Sequence, residues 1–185
     1  MKKGLSVLLS IIMIVSVFSS YTYADNRLLD DDMVSDIREE VNRIVDKSLS
    51  RTDDRILRFI ISADAHQDND NILVTRGTAE LGQAQGEILD QLNVDFVANL
   101  GDLAWGSRTN TVAEVTEQIE TYHKLMGNNL KGQTLLYLEG NHDDANYSYD
   151  VSADNPKLST SAINDLIYSK NTEVIADPEH KTDGY

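Results

Sequence analysis

The amino-acid sequence predicts an α/β fold with a largely parallel β-sheet and crossover helices. Three short apolar segments, at residues 56–62, 95–100 and 133–138, have the length and composition of buried strands. Helical patterns occupy residues 79–93 and 111–126 between them. Strands that alternate with helices form parallel β-α-β units, because each helix carries the chain back to the start of the next strand.

A separate segment precedes this pattern, at residues 1–24. It begins with Lys2 and Lys3, continues with the uncharged apolar run GLSVLLSIIMIVSVF and ends at Ala24 in SSYTYA. This layout is typical of a secretory signal peptide that is cleaved after Ala24. The alternative is a retained membrane anchor, but the apolar run is short for a span, which needs about 20 residues. We therefore expect a secreted or cell-envelope protein with no stable membrane insertion after cleavage.

Residues 25–54 predict a helical lead-in segment. Acidic residues at 30–32 suit a helix N-terminus, where the backbone dipole is positive. Apolar side chains recur on one helical stripe, which consists of Leu29, Met33, Ile37, Val41, Ile44 and Leu49. The strand–helix alternation starts after this segment, so we expect residues 55–185 to form the domain itself.

The helices of the domain are recognised by their apolar faces and their ends. The helix at 111–126 has one apolar face, formed by Val112, Val115, Ile119, Tyr122 and Met126. His123 in the same helix is expected to be an ordinary, partly exposed residue. The segment 159–169 opens with Ser159, a favourable N-cap, and predicts a third helix.

Length and charge restrict the possible functions. The chain has 185 residues, which is enough for about one domain, and a formal net charge of −15. So acidic a protein is poorly suited to bind nucleic acid through a basic surface. The chain contains no cysteine, so no disulfide stabilises it.

Polar residues of the metal-binding type follow each predicted strand. Asp64 and His66 come after the first, Asp102 after the second, and Asn141 and His142 after the third. Asp64 and Asp102 are 38 residues apart, and Asp102 and Asn141 are 39 apart, so each interval fits one helix plus one strand. Because the carboxyl ends of parallel strands meet at one edge of a sheet, the three groups should converge there.

The residue types suit divalent metal ions. An Asp and a His after the same strand can point to one ion, and the two oxygens of a carboxylate can bridge two ions. The amide oxygen of an Asn adds a ligand without adding charge. Two ions about 3.5–4 Å apart can activate a water molecule and hold a phosphoryl group for attack. Glycines precede Asp102 and Asn141, and we expect them to let the chain turn sharply.

The three groups resemble the calcineurin-like metallophosphoesterase family, whose signature runs D-x-H, then GD, then GNH followed by D or E. The matching segments are DAH at 64–66, GD at 101–102 and GNHD at 140–143. Each motif alone is weak or only moderately specific, but their order and their positions after strands make the match strong. The resemblance covers roughly residues 56–185. It implies a four-layer αββα sandwich, of which the N-terminal β-α-β-α-β half is present here.

The resemblance also implies which residues hold metal. Asp64 and His66 would bind the first ion, Asp102 would bridge two ions, and Asn141 would bind the second. The ions would be divalent or trivalent, with Mn, Fe and Zn all compatible with nitrogen and oxygen ligands.

Two further roles follow from the same resemblance. His142 would face the phosphate, where it stabilises the transition state or protonates the leaving oxygen, and Asp143 would orient His142. Purple acid phosphatases carry a Tyr ligand where Trp105 stands and a Gly where His66 stands. The sequence therefore resembles the ordinary branch of the family. Trp105 could pack or form a wall of the substrate site, and Arg108 could meet a phosphate.

The later part of the family signature is missing. The family supplies three more histidines, the last two in a G-H-x-H motif, whereas this sequence has four histidines in all, His66, His123, His142 and His180. His180 has no Gly before it and no second His after it, so we expect it to lie in a loop. We therefore expect a truncated fragment with an incomplete dinuclear site.

The sequence thus predicts an exported phosphoesterase that hydrolyses a phosphate mono- or diester with metal-activated water. Nucleotides, phosphoproteins, phosphodiesters and lipid-linked phosphates are all compatible substrates. The missing histidines support an alternative, a non-catalytic extracellular binding or structural module of the same fold.

Overall fold

The computed structural model describes residues 28–50, 57–107, 110–127, 130, 132–145 and 157–172. Their elements in chain order are α1 Asp31–Leu49, β1 Phe59–Ser62, α2 Ile72–Gln91, β2 Phe96–Asn99, α3 Val112–Gly127, β3 Leu135–Tyr137 and α4 Thr160–Leu166, followed by a 3-10 turn at Tyr168–Lys170. The predicted α/β class and its β-α-β-α-β order are confirmed.

Some predicted features lie outside the described residues. They include the signal peptide at 1–24, Arg108 and His180. Among the helices that the structure describes, none is long and apolar enough to cross a membrane.

The three strands form one parallel sheet in the order β1-β2-β3. Asp95, just before β2, accepts from the backbone N–H of Arg58 at 2.7 Å and so links the starts of β1 and β2. All three strands end at the same edge of the sheet, and the loops that carry the polar motifs leave from that edge.

One face of the sheet is covered by helices. Ile60 and Val97 lie on this face and join Ile88 of α2 with Val41 and Val45 of α1 in one buried cluster. A second cluster packs α3 and α4 against the β3 side of the same face, and its most buried members are Leu103, Ala104, Val115, Ile119, Tyr122 and Ile167. The predicted apolar face of the helix at 111–126 is therefore a core face.

The opposite face of the sheet is also apolar. Phe59 and Phe96 stack there with ring centroids 5.0 Å apart, and Leu136 is 38% exposed on the same face. These residues belong to neither core cluster. The described residues thus provide one helical layer and one sheet layer, which is consistent with part of the predicted sandwich.

The predicted start of the first crossover helix was wrong. We expected a helix at 79–93, but α2 begins at Ile72. The side chain of Asn71 caps it by accepting from the backbone N–H of Leu73 at 3.1 Å. The first turns contain β-branched residues and Gly77, which have low intrinsic helix propensity, and tertiary packing outweighs that preference.

Within the predicted lead-in segment the structure has helix α1, but its buried stripe is shifted from the predicted one. Val45 is 3% exposed and takes the core position expected for Ile44, whereas Leu49 is 56% exposed. The helix begins as predicted, because Asp30 accepts from the backbone N–H of Met33 at 2.8 Å.

Candidate metal centre

The motif loops after β1 and β2 run side by side and are joined by backbone hydrogen bonds. The N–H of Asp64 donates to the carbonyl of Gly101 at 3.1 Å, and the N–H of His66 donates to the carbonyl of Asp102 at 3.0 Å. The sheet pairing thus continues past the strand ends, and it fixes the D-x-H motif against the GD motif.

Three of the predicted metal ligands have left-handed backbones. The φ angles are 55° at Asp64, 46° at His66 and 54° at Asp102. Non-glycine residues adopt this region uncommonly, and such strain concentrates at sites whose function depends on it. All three residues lie in the loops at the carboxyl edge of the sheet.

The GD and GNH loops touch through their glycines. A Cβ atom at Gly140 would lie 2.1 Å from the backbone nitrogen of Asp102, and one at Gly101 would lie 2.5 Å from the nitrogen of Gly140. Gly101 also has a φ of 100°, so the sharp turn expected there is present. Gly140 is required for a different reason, the close approach of another chain segment.

The structure brings together three side chains that could hold a metal ion. Ligand atoms of His66, Asp102 and His142 all lie within 4.8 Å of one another. Asp64 lies beside them, with its Oδ1 3.7 Å from Nε2 of His66, and its side chain is 69% exposed. Asn141 is exposed and begins the turn that also contains the buried His142.

Two hydrogen bonds hold His142 in place, one on its ring and one on its backbone. Its Nδ1 lies within hydrogen-bonding distance of the backbone carbonyl of Trp105, which places the proton on Nδ1. Its backbone N–H donates to Oδ1 of Asp102 at 2.9 Å. Metal-binding and catalytic histidines are commonly oriented by such a carbonyl contact on the second ring nitrogen.

Asp143 lies beneath these loops and links two of them. Its Oδ1 accepts from the N–H of Ala104 and its Oδ2 from the N–H of Gly140, both at 2.9 Å. Burial raises the pKa of the Asp143 carboxyl to about 6, the negative charge of Asp102 adds to this, and the amide hydrogen bonds oppose it. Asp143 therefore positions the GD loop against the GNH loop, a connection that the sequence did not indicate.

The residues present fit a metal ion. Nδ1 of His66 is buried and, among the residues that the structure describes, has no hydrogen-bond partner. The imidazole of His66 and the carboxylates of Asp64 and Asp102 form a donor set of nitrogen and oxygen atoms that Mn, Fe and Zn accept. Of the other two histidines of the sequence, His123 bonds to the carbonyl of Leu166, and His180 lies outside the described residues.

Comparison with known proteins agrees with this geometry. The chain matches the family model of the calcineurin-like phosphoesterases over residues 57–180, about two thirds of its length. Searches against curated proteins and against solved structures found no match. The matched region contains all three motif loops and the sheet that supports them. The protein therefore belongs to the calcineurin-like phosphoesterase family.

Proposed function

We propose that this protein is an exported phosphoesterase that hydrolyses a phosphate mono- or diester with the help of two metal ions. The observation that carries the proposal is the convergence of His66, Asp102 and His142 within 4.8 Å at the carboxyl edge of the sheet. The signal-peptide pattern at residues 1–24 supports export.

The ligands are divided between two positions. Asp64, His66 and Asp102 would hold the first ion, and Asp102 and Asn141 the second. When bound, the ions supply positive charge that activates water and neutralises the phosphate oxygens. The backbone hydrogen bonds between the first two loops hold the segment with Asp64 and His66 against the segment with Asp102.

His142 supplies the proton chemistry. With Nδ1 hydrogen-bonded to the Trp105 carbonyl, we assign the proton transfer to Nε2. In the protonated ring, Nε2–H donates to a phosphate oxygen or to the leaving oxygen, which lowers the barrier to P–O cleavage. Asp143 supports this step by fixing the loop from which His142 projects.

The experiment is phosphate release from phenyl phosphate, whose basic phenolate leaving group needs a proton, with added Mn²⁺, compared between the wild type and His142→Ala. We expect a loss of about 10²–10⁴-fold, the usual contribution of a general acid. His123→Gln is the matched control, since His123 lies on α3 away from the motif loops, and it should retain activity. Undiminished turnover in His142→Ala would refute the assigned role.

The second candidate, a non-catalytic module, is favoured because His66 and His142 are the only histidines that the described part of the chain brings to the site. Calorimetric titration with Mn²⁺ or Zn²⁺ separates the two. Tight binding of two ions supports the phosphoesterase, whereas loss of that binding in Asp102→Asn identifies the bridging ligand. An absence of metal binding together with an absence of phosphate release supports the module.

A further inference from the structure

We propose that the indole of Trp105 is a stacking surface for the leaving group of the substrate, so that the site selects phosphate esters whose leaving group carries a planar aromatic ring. This inference rests on the proposed phosphoesterase function and names its substrate class.

The position of the indole is the first argument. Its ring centroid lies 5.6 Å from that of His66, in an edge-to-face arrangement, and 6.1 Å from that of His142. The rings of His66 and His142 are themselves 4.4 Å apart. The indole ring is therefore a direct neighbour of the His66 and His142 rings, at the border of the candidate metal centre.

The exposure of the indole is the second argument. Trp105 is 44% exposed, although Leu103 and Ala104 immediately before it are fully buried. Burying a large aromatic ring stabilises a protein strongly, so a ring that only served packing would gain by following its neighbours inward. The exposed part of the ring is instead available to a ligand.

The backbone of Trp105 is fixed on both sides. Its N–H donates to the carbonyl of Gln67 at 2.9 Å, and its own carbonyl accepts from Nδ1 of His142. Gly106 follows with a φ of 51°, and a Cβ there would lie 1.9 Å from the carbonyl oxygen of His142. The segment that carries the indole is therefore held in place beside the site, which lowers the entropic cost of stacking a ligand against it.

The chemistry of the ring defines the ligand. Aromatic rings attract one another in offset or edge-on arrangements, and this contact tolerates many ring types because each has a π-face. A phosphate ester bound at the candidate metal centre would place its leaving group next to the indole of Trp105. An aryl group or a nucleobase would then stack, whereas an alkyl group would not.

The test uses two phosphonates that cannot be hydrolysed, phenylphosphonate and methylphosphonate, titrated by calorimetry into the Mn²⁺-loaded protein. We expect phenylphosphonate to bind about tenfold more tightly, which corresponds to about 1.4 kcal/mol. Trp105→Ala should reduce this preference to about onefold, and Trp105→Phe should retain most of it, since Phe keeps an aromatic face.

The possible outcomes separate the role of Trp105 from the proposed phosphoesterase function. Equal affinities for the two phosphonates in the wild type would overturn the inference and leave the phosphoesterase intact. An equal loss of both affinities in Trp105→Ala would also overturn it, because that result describes a structural residue. If the Mn²⁺-loaded protein binds neither phosphonate, the phosphoesterase proposal fails and this inference fails with it.

Two further ligands identify the kind of ring. Adenosine 5′-monophosphate and ribose 5-phosphate are esters that the protein would hydrolyse, so they are compared by the kcat/KM of phosphate release. They differ by a nucleobase, as the phosphonates differ by a phenyl group. A greater Trp105-dependent preference in the nucleotide pair identifies a nucleobase, and a greater one in the phosphonate pair identifies a single aryl ring. Trp105 is the only tryptophan in the sequence, so quenching of its fluorescence by added Mn²⁺ independently reports metal binding next to it.

Discussion

The carboxyl edge of the sheet and the core between α1, α2 and the sheet differ in what holds their residues in place. In the core, Val45, Ile60 and Ile88 are buried by apolar contacts in regular helices and strands. At the edge, Asp64 and Asp102 have left-handed backbones and are positioned by hydrogen bonds and glycine contacts.

The difference shows where tolerance to substitution should be lowest. Apolar cores accept changes of similar volume, because dispersion contacts have little directional preference. The edge depends on backbone groups that meet at fixed distances, so even one added methyl group displaces the ligands. The predictions below compare the two regions, in order of decreasing effect.

Gly140→Ala should have the largest effect. The added Cβ would meet the backbone nitrogen of Asp102 at 2.1 Å and its Oδ1 at 2.2 Å, and the backbone cannot rotate away. We expect a loss of at least about 4 kcal/mol in the free energy of unfolding, above the usual cost of overpacking. Urea denaturation measures the stability, and calorimetry with Mn²⁺ should show that metal binding is lost.

Two other glycines serve as controls for that variant. A Cβ at Gly82 would lie 2.4 Å from the carbonyl oxygen of Leu125, so Gly82→Ala should separate α2 from α3 and lower stability while metal affinity is retained. Gly127 has no atom within 4 Å of such a Cβ, so Gly127→Ala should change neither. Retained metal binding in Gly140→Ala would show that the glycine contact does not position the ligands.

Acid should destabilise the α3–α4 packing through His123. Burial lowers the pKa of the His123 ring to about 4, the Leu166 carbonyl opposes this, and the charge of Lys170 lowers the pKa further. The unfolded chain therefore binds the proton first, at its ordinary pKa near 6.5. Stability is complete above about pH 6.5 and is lost as the pH falls to about 4, by at most about 3 kcal/mol.

The matched variant for this titration is His123→Gln. Its amide N–H can replace the donor to Leu166 but does not titrate, so the variant should lose less stability between pH 6.5 and pH 4 than the wild type. Carboxylates titrate in both proteins, and the difference between the two curves isolates His123. Identical curves from urea denaturation would contradict the assignment.

Asp143→Asn should have a smaller effect, which lowers both the free energy of unfolding and the affinity for metal. An Asn keeps one oxygen acceptor, so one of the amides of Ala104 and Gly140 loses its partner, at a cost of about 2 kcal/mol. Denaturation at pH 8 measures the cost, and metal affinity should fall as the loops separate. The neighbouring Asp144→Asn is the control, because Asp144 pairs with an exposed Lys157 at 3.5 Å.

The sequence predicted the fold well, because its evidence is periodic. The apolar runs gave the strands in their correct order, and the capping residues Asp30 and Ser159 marked helix starts. The predicted start of α2 was wrong because Ile72 and Gly77 have low helix propensity. In the folded protein, packing against α1 and α3 stabilises this part of the helix. That packing involves residues distant in sequence, which local patterns do not contain.

The residue types of the site could be predicted from the sequence, but the backbone conformations and hydrogen bonds that position them could not. Spacing and strand ends indicated that Asp102 and His142 meet, and the structure places them together. The left-handed backbones, the Trp105 carbonyl on His142 and the amides on Asp143 depend on loop geometry, which has no periodic signal. The glycines of GD and GNH are the part of the sequence that reflects this loop geometry. They predicted sharp turns, whereas Gly140 is needed for the close approach of the two loops.

The smallest effect should come from the charged pair that joins the two helices of the core. Nε and Nη2 of Arg38 on α1 lie 3.2 and 2.8 Å from Glu87 on α2, but the Arg38 side chain is 55% exposed. Water and salt screen the Arg38 guanidinium, and Gln83 still donates to the 16% exposed Glu87 side chain, so Arg38→Met should change the urea midpoint only slightly. Val45→Ala, at a 3% exposed position in the same interface, should cost about 2 kcal/mol from lost burial alone. A larger loss in Arg38→Met than in Val45→Ala would mean that directed polar contacts, as at the carboxyl edge, also hold α1 on α2.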